Sequence, residues 1–117
     1  MIHIKILTVA ELLKAEVLCG QEFLENEVFS ACGCDLMSDV LAFVKNQAVL
    51  ITGLVNPQAI RTAEMMDMKC VVFVRGKRPT GEMIDLAQRH GIVLLASALP
   101  MFEACGTLYS AGLRGRD

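Results

Sequence analysis

The sequence contains no apolar run of the roughly 18 to 20 residues that a membrane-spanning helix requires. Its uncharged segment near the carboxyl terminus, Ile92 to Phe102, covers 11 residues and includes Pro100. No signal sequence is expected at the amino terminus, because Glu11, Lys14 and Glu16 interrupt it before a long uncharged run can form. Leu18 is too bulky to precede a lipoprotein cleavage at Cys19. An excess of either charge is also missing: 11 Lys and Arg stand against 13 Asp and Glu, for a formal net charge of −2. No global field therefore draws the chain to nucleic acid or to an anionic membrane. The G-x-x-x-x-G-K-[ST] phosphate loop and the G-x-G-x-x-G fingerprint are both absent, and with them the visible machinery for phosphoryl transfer or dinucleotide chemistry. The five cysteines, Cys19, Cys32, Cys34, Cys70 and Cys105, are odd in number and mostly lie among apolar neighbours, as reduced thiols do. Cys32-Gly33-Cys34 lacks a second ligand pair, and neither His3 nor His90 stands at a ligand spacing from it. These absences predict a cytoplasmic protein with no metal and no cofactor.

What is present is apolar and ordered. Hydrophobic residues make up 54% of the 117 residues, and mean hydropathy is +0.49. That content, without a membrane span, predicts a sheet buried on both faces or an apolar dimer interface. Three aliphatic runs, Ala48–Thr52, Cys70–Val74 and Ile92–Ala96, begin 22 residues apart. Each is followed by a polar turn and an amphipathic helix. Strands apolar on both sides need cover on both faces, so the pattern predicts an α/β, three-layer sandwich with a mostly parallel sheet. A leucine-rich solenoid has a similar period, but residue identities do not recur between these units. A chain of this length fits one domain, taken as residues 1–117.

Local signals place most elements. Thr8-Val-Ala-Glu11 has the spacing of a capping box and predicts a short helix from Val9 to Lys14. Short strands are expected at Glu16–Cys19 and Glu27–Cys32, adding to one edge of the sheet. Asp35 is expected to cap a helix with Leu36, Val40, Leu41 and Val44 on one face and Lys45 near its end. Asn56-Pro57 predicts a helix start, because proline at the first position has no N–H to leave unpaired. Gly91 predicts a left-handed end for the helix through Met83, Ile84 and Ala87, with His90 as a favourable charge at its carboxyl end. Pro100 opens a last helix through Phe102, Cys105, Leu108 and Tyr109, and the polar tail from Arg114 is expected to fray.

In open α/β sheets, ligands bind beyond the carboxyl ends of the strands. The turns there carry Thr52, Gly53 and Asn56, then Arg75, Gly76, Lys77 and Arg78, then Ser97. Glycine lets backbone approach a ligand, helix starts offer free N–H groups, and Arg and Lys add charge, which together suit a phosphate or carboxylate. The plainer reading is that the glycines make tight turns and the basic residues are solvated. Asp35, Ser38 and Asp39 allow acid–base chemistry, but capping explains them more simply. Met65, Met66, Met68 and Met83 divide between core filling and an adaptable partner surface.

Four segments carry a resemblance: Gly33–Leu41, Val49–Gly53, Gly76–Pro79 before a helix, and Ala96–Ala104. With Leu7–Leu13 as a matching opening helix, they resemble the DRTGG domain family, which is similar to the amino-terminal domain of HPr kinase/phosphorylase. The Asp-Arg and Thr-Gly-Gly that name the family are replaced here by Gly53-Leu54-Val55 and Val74-Arg75-Gly76, so only glycines correspond. The resemblance implies an α/β regulatory domain, often a homodimer, that accompanies CBS domains or metabolic enzymes and has no established activity of its own. Kinase activity in the HPr-kinase-like proteins belongs to a separate phosphate-loop domain, for which this chain has no room.

The reading that follows is a non-catalytic regulatory or ligand-sensing module. Its expected ligand is an anionic metabolite or nucleotide, held by Gly53, Asn56, Arg75, Gly76, Lys77, Arg78 and Ser97. The alternative is an interaction subunit with no small ligand, docking through an apolar, Met-rich face. A weaker third reading is an enzyme using Asp35, Ser38 or a reactive cysteine.

Overall fold

Side chains on successive strand residues point to opposite faces, so a run such as Ala48-Val-Leu-Ile-Thr52 needs two cores. It has them. In the computed structural model, which describes residues 2–43 and 48–115, Val49, Ile51, Cys70, Val72, Val93 and Leu95 fill one core. Ala48, Leu50, Val71, Phe73, Ile92 and Leu94 fill the other.

The elements in chain order are β1 (Ile4–Lys5), α1 (Ile6–Leu12), β2 (Glu16–Cys19), a 3₁₀ turn, β3 (Glu27–Val28) and β4 (Ser30–Gly33). They continue with α2 (Met37–Phe43), β5 (Ala48–Thr52), α3 (Pro57–Met65), β6 (Cys70–Phe73), α4 (Gly81–Arg89), β7 (Val93–Ala96) and α5 (Met101–Ser110). The main sheet has the order β2-β7-β6-β5-β4. From β4 to β7 all neighbours are parallel, while β2 runs antiparallel along the outer side of β7. Because each parallel strand pairs with the next in sequence, right-handed crossovers carry α2, α3 and α4 to the same face. Met37, Val40, Ala59, Ile60, Ala63, Met83 and Ala87 seal that side. The other face is covered by α1 and α5 through Ile6, Val9, Ala10, Ala104 and Leu108. This is the expected three-layer sandwich with a mostly parallel sheet.

Several local expectations change. The helix expected from Val9 begins at Ile6, with Lys5 before it and no side-chain cap. Its first-turn N–H groups are met by backbone, Ile6 N donating to Asn26 O and Leu7 N to Leu24 O, both at 2.9 Å. A capping box between Thr8 and Glu11 therefore has no place, because both residues lie inside a helix whose first donors are met by the loop. The amino-terminal segment supplies both edges of the sheet, β2 on one side and β4 on the other, rather than one. Helix α2 buries Met37 and Val40 and leaves Leu36 and Leu41 exposed, so its inward face is rotated from the one expected. Val44 and Lys45, expected to continue that helix, lie outside the described residues. The tail is held at Arg114, whose carbonyl accepts from Ala31 N at 3.0 Å beside a short bridge to Ser30. Among the described residues no helix is long and apolar enough to cross a membrane.

Other signals hold. Asn56 Oδ1 accepts from Gln58 N at 2.8 Å with Pro57 following, and Gly91 closes the α4 turn at φ +67°. Helix α4 also has a cap, Thr80 Oγ1 accepting from Met83 N at 3.2 Å. The methionines divide: Met68 and Met83 are buried, and Met65 is 68% exposed.

Candidate functional site

Four parallel strands end along one rim, so four exit loops lie side by side: Gly33–Asp35, Thr52–Asn56, Val74–Arg78 and Ser97–Leu99. Backbone hydrogen bonds fasten three of them together. Val74 N donates to Thr52 O at 3.1 Å, Gly76 N to Ser97 O at 2.9 Å, and Arg75 N to Leu99 O at 2.8 Å. Antiparallel β2 starts at the same rim, which brings Glu16 into it.

The loop after β6 is its most constrained part. Arg75 and Gly76 both adopt left-handed backbone, at φ +61° and +72°. Glycine does so freely; for an arginine the conformation costs on the order of 1 kcal/mol and persists only where surroundings impose it. The bonds to Leu99 O and Ser97 O supply that constraint, and the reversal leaves Arg75, Gly76, Lys77 and Arg78 all exposed.

The turn after β5 is organised by a residue that the sequence pattern assigns elsewhere. Asp35, expected as the cap of α2, turns its carboxylate onto the neighbouring loop. Its Oδ1 accepts from Gly53 N at 2.7 Å and from the Thr52 hydroxyl at 2.9 Å. Thr52 Oγ1 in turn accepts from Leu54 N at 3.1 Å. A Cβ placed on Gly53 would stand 3.7 Å from both Asp35 carboxylate oxygens and 3.9 Å from Lys77 Cδ, so Asp35 and Lys77 flank the glycine. Asp35 thus occupies the position at the Gly53 N–H where a bound anion is expected from sequence. The signal that could have revealed this is Gly33-Cys-Asp35 read as a fourth strand exit on the same rim.

The expected residues separate into two groups. Ser97 is buried, donates to Leu13 O at 2.8 Å and accepts from Leu99 N at 3.1 Å, tying the rim to the segment after α1. Asn56 is engaged in capping α3. Arg78 makes a two-pronged pair with Glu16, Nη1 to Oε1 at 2.9 Å and Nη2 to Oε2 at 3.3 Å. That hydrogen-bonded cation holds the Glu16 carboxyl below its usual range. Among the described residues Arg75 and Lys77 form no ion pair, which leaves two exposed cations in this loop, Lys77 of them beside Gly53 and the Asp35 carboxylate.

The cysteines offer little chemistry. Burial is the main cause raising the thiols of Cys19, Cys70 and Cys105, and pushes Cys32 to about 11, so these four stay protonated near neutral pH. Cys34 Sγ lies 3.2 Å from Leu36 O, in a local turn. Among the described residues no three His, Cys, Asp or Glu side chains are grouped to hold a metal ion.

No family model matches the chain, and no curated protein sequence matches it. Among solved structures, its fold is similar to the CBS and DRTGG domains of the regulatory region of Clostridium perfringens pyrophosphatase, determined in complex with that protein's activator, diadenosine tetraphosphate. The TM-score is 0.69 at 16% identity, over 86% of this chain and 44% of that one. The chain therefore spans less than half the length of its structural relative, and at this identity the two share a fold.

Proposed function

We propose that the chain, taken as one DRTGG-like domain over residues 1–117, is a non-catalytic regulatory module of the cytoplasm that senses an anionic metabolite at its strand-end rim. The observation that carries the reading is the Asp35 carboxylate seated on the Gly53 N–H that Lys77 flanks, with Arg75 exposed two residues away in the same loop as Lys77. A carboxylate accepts hydroxyl or amino protons, and the cations take phosphate oxygens. Nucleotides present both, with ribose or base toward Asp35 and phosphates toward Lys77 and Arg75. The fold likeness to a regulatory region crystallised with a dinucleotide supports the same class. The likeness to the amino-terminal domain of HPr kinase/phosphorylase belongs to this reading, as do a homodimer and a metabolic enzyme or CBS-domain partner.

Isothermal titration against ADP, diadenosine tetraphosphate, ribose 5-phosphate and inorganic phosphate tests it. Nucleotide binding is expected to weaken at least about tenfold in Lys77→Ala with Arg75→Gly, since a charge-assisted hydrogen bond contributes roughly 1.5–3 kcal/mol. Asp35→Asn is expected to lower affinity for nucleotide and to leave phosphate unchanged. Undiminished heat in the double variant would remove this cluster from the site. The second reading, an interaction subunit, draws on exposed Leu36, Leu41, Val55 and Met65 in α2, in α3 and in the turns before them. A stoichiometric partner in native pull-down, with no heat from any metabolite, would favour it.

A further inference from the structure

The outer face of α5 has a composition that the isolated chain does not explain. Ala104 and Leu108 point into the core. At 3.6 residues per turn the position opposite them, at the centre of the outward face, is Gly106. A Cβ on Gly106 would meet nothing within 4 Å, so no contact inside the chain calls for the missing side chain. Glycine also weakens an exposed helix relative to alanine. On one flank of Gly106 stand Phe102 and Tyr109, 85% and 60% exposed. Exposed Glu103 and Ser110 stand on the other. The Arg114 guanidinium covers one face of the Tyr109 ring at 3.9 Å from its centroid, and the tyrosine is still exposed.

We infer that this face is a self-association surface, on which α5 packs antiparallel against α5 of a second copy about a two-fold axis level with Gly106. The inference rests on the homodimer in the proposed function and identifies its interface. The two-fold operation itself selects the occupant. It sets Gly106 against Gly106, where two backbones approach closely without side chains between them. It brings each Phe102 level with Tyr109 of the other copy on the same flank, closing an Arg114–Tyr109–Phe102 stack twice. On the opposite flank each Glu103 carboxylate meets the Ser110 hydroxyl of the other copy, acceptor against donor. Aromatic knobs, a central notch and matched polar groups therefore all lie on one helix in a self-complementary order.

Sedimentation and light scattering of the full chain, with circular dichroism as a folding control, provide the first test. The wild-type chain is expected to be dimeric, and Phe102→Asp to raise the dimer dissociation constant by at least about tenfold, as loss of an aromatic anchor does. The substituted residue is solvent-exposed in the monomer and acidic in the first turn of a helix, so the fold is expected to persist. Oxidation of the Gly106→Cys variant, read on non-reducing gels, should yield a covalent dimer, whereas Ser110→Cys, off the axis, should not. A wild-type dimer unaffected by Phe102→Asp, with no covalent dimer from Gly106→Cys, would overturn the α5 interface and leave the homodimer standing. A wild-type chain that stays monomeric at high concentration would overturn both.

Discussion

The two helical layers pack on one sheet but are built by different means. On one side α3 and α4 each begin with a side-chain cap, Asn56 and Thr80, and α2, α3 and α4 each lie between consecutive parallel strands. On the other side α1 and α5 begin at Lys5 and Pro100 with no side-chain cap. The placement of α1 depends on distant partners, Asn26 and Leu24 for its start and the Ser97 hydroxyl for the carbonyl of Leu13, while Arg114, five residues beyond Tyr109, holds the end of α5. The first layer is specified turn by turn along the chain, and the second is held by what it packs against. Local signals therefore decide where α3 and α4 start, while tertiary contacts decide the same for α1.

The largest test of this contrast is cooperativity. Phe73→Ala, in the core under α2 to α4, is expected to cost about 3–5 kcal/mol in denaturant unfolding, and Leu108→Ala, under α1 and α5, roughly 2–5 kcal/mol. The sole tyrosine, Tyr109, reports on α5, so its fluorescence and far-ultraviolet dichroism should change together in both variants. An earlier Tyr109 transition would mean that the α1–α5 layer melts as a separate unit.

A smaller effect sharpens the difference in how helices start. Asn56→Ala is expected to cost about 1 kcal/mol by removing a used cap. Thr8→Ala should stay within about 0.5 kcal/mol, because no cap is lost there. Comparable losses at the two sites would revive the capping box and blur the contrast between layers.

The smallest effect links the rim to β2. Glu16 has its folded pKa lowered by Arg78, so the pair contributes stability above the unfolded carboxyl value, and the contribution is lost as pH falls through the folded value. Across the acid range, from above the unfolded carboxyl value to below the folded one, the wild-type chain should therefore lose slightly more stability than Arg78→Ala. Both side chains are solvated, so the difference should shrink further in high salt. Equal pH profiles would show that the pair adds nothing beyond its geometry.

How far the residues predict the molecule depends on how far apart partners stand in the chain. Strands β5 to β7, the Asn56 start and the Gly91 stop are legible because periodicity, caps and left-handed glycine act over a few residues. The role of Asp35 is not, because its partners lie at Thr52 and Gly53, 18 residues beyond in the case of Gly53 N. Read locally, the residue fits a cap equally well. The bond from Ser97 to Leu13 spans 84 residues and that from Arg78 to Glu16 spans 62, and neither is legible locally. Placing the amino-terminal strands on one edge fails for the same reason, since edge choice depends on pairing with β7 and β5.

Residue order alone specified a parallel sheet buried on both faces, with basic turns at its carboxyl end, because burial pattern and turn chemistry are encoded in adjacent side chains. Which of those turn residues remain free to meet a ligand was decided by packing. Hydrogen-bond donors and acceptors brought together from remote segments satisfy one another first. Of the basic turn residues, only Arg75 and Lys77 are left facing solvent with charge unmatched by an ion pair among the described residues.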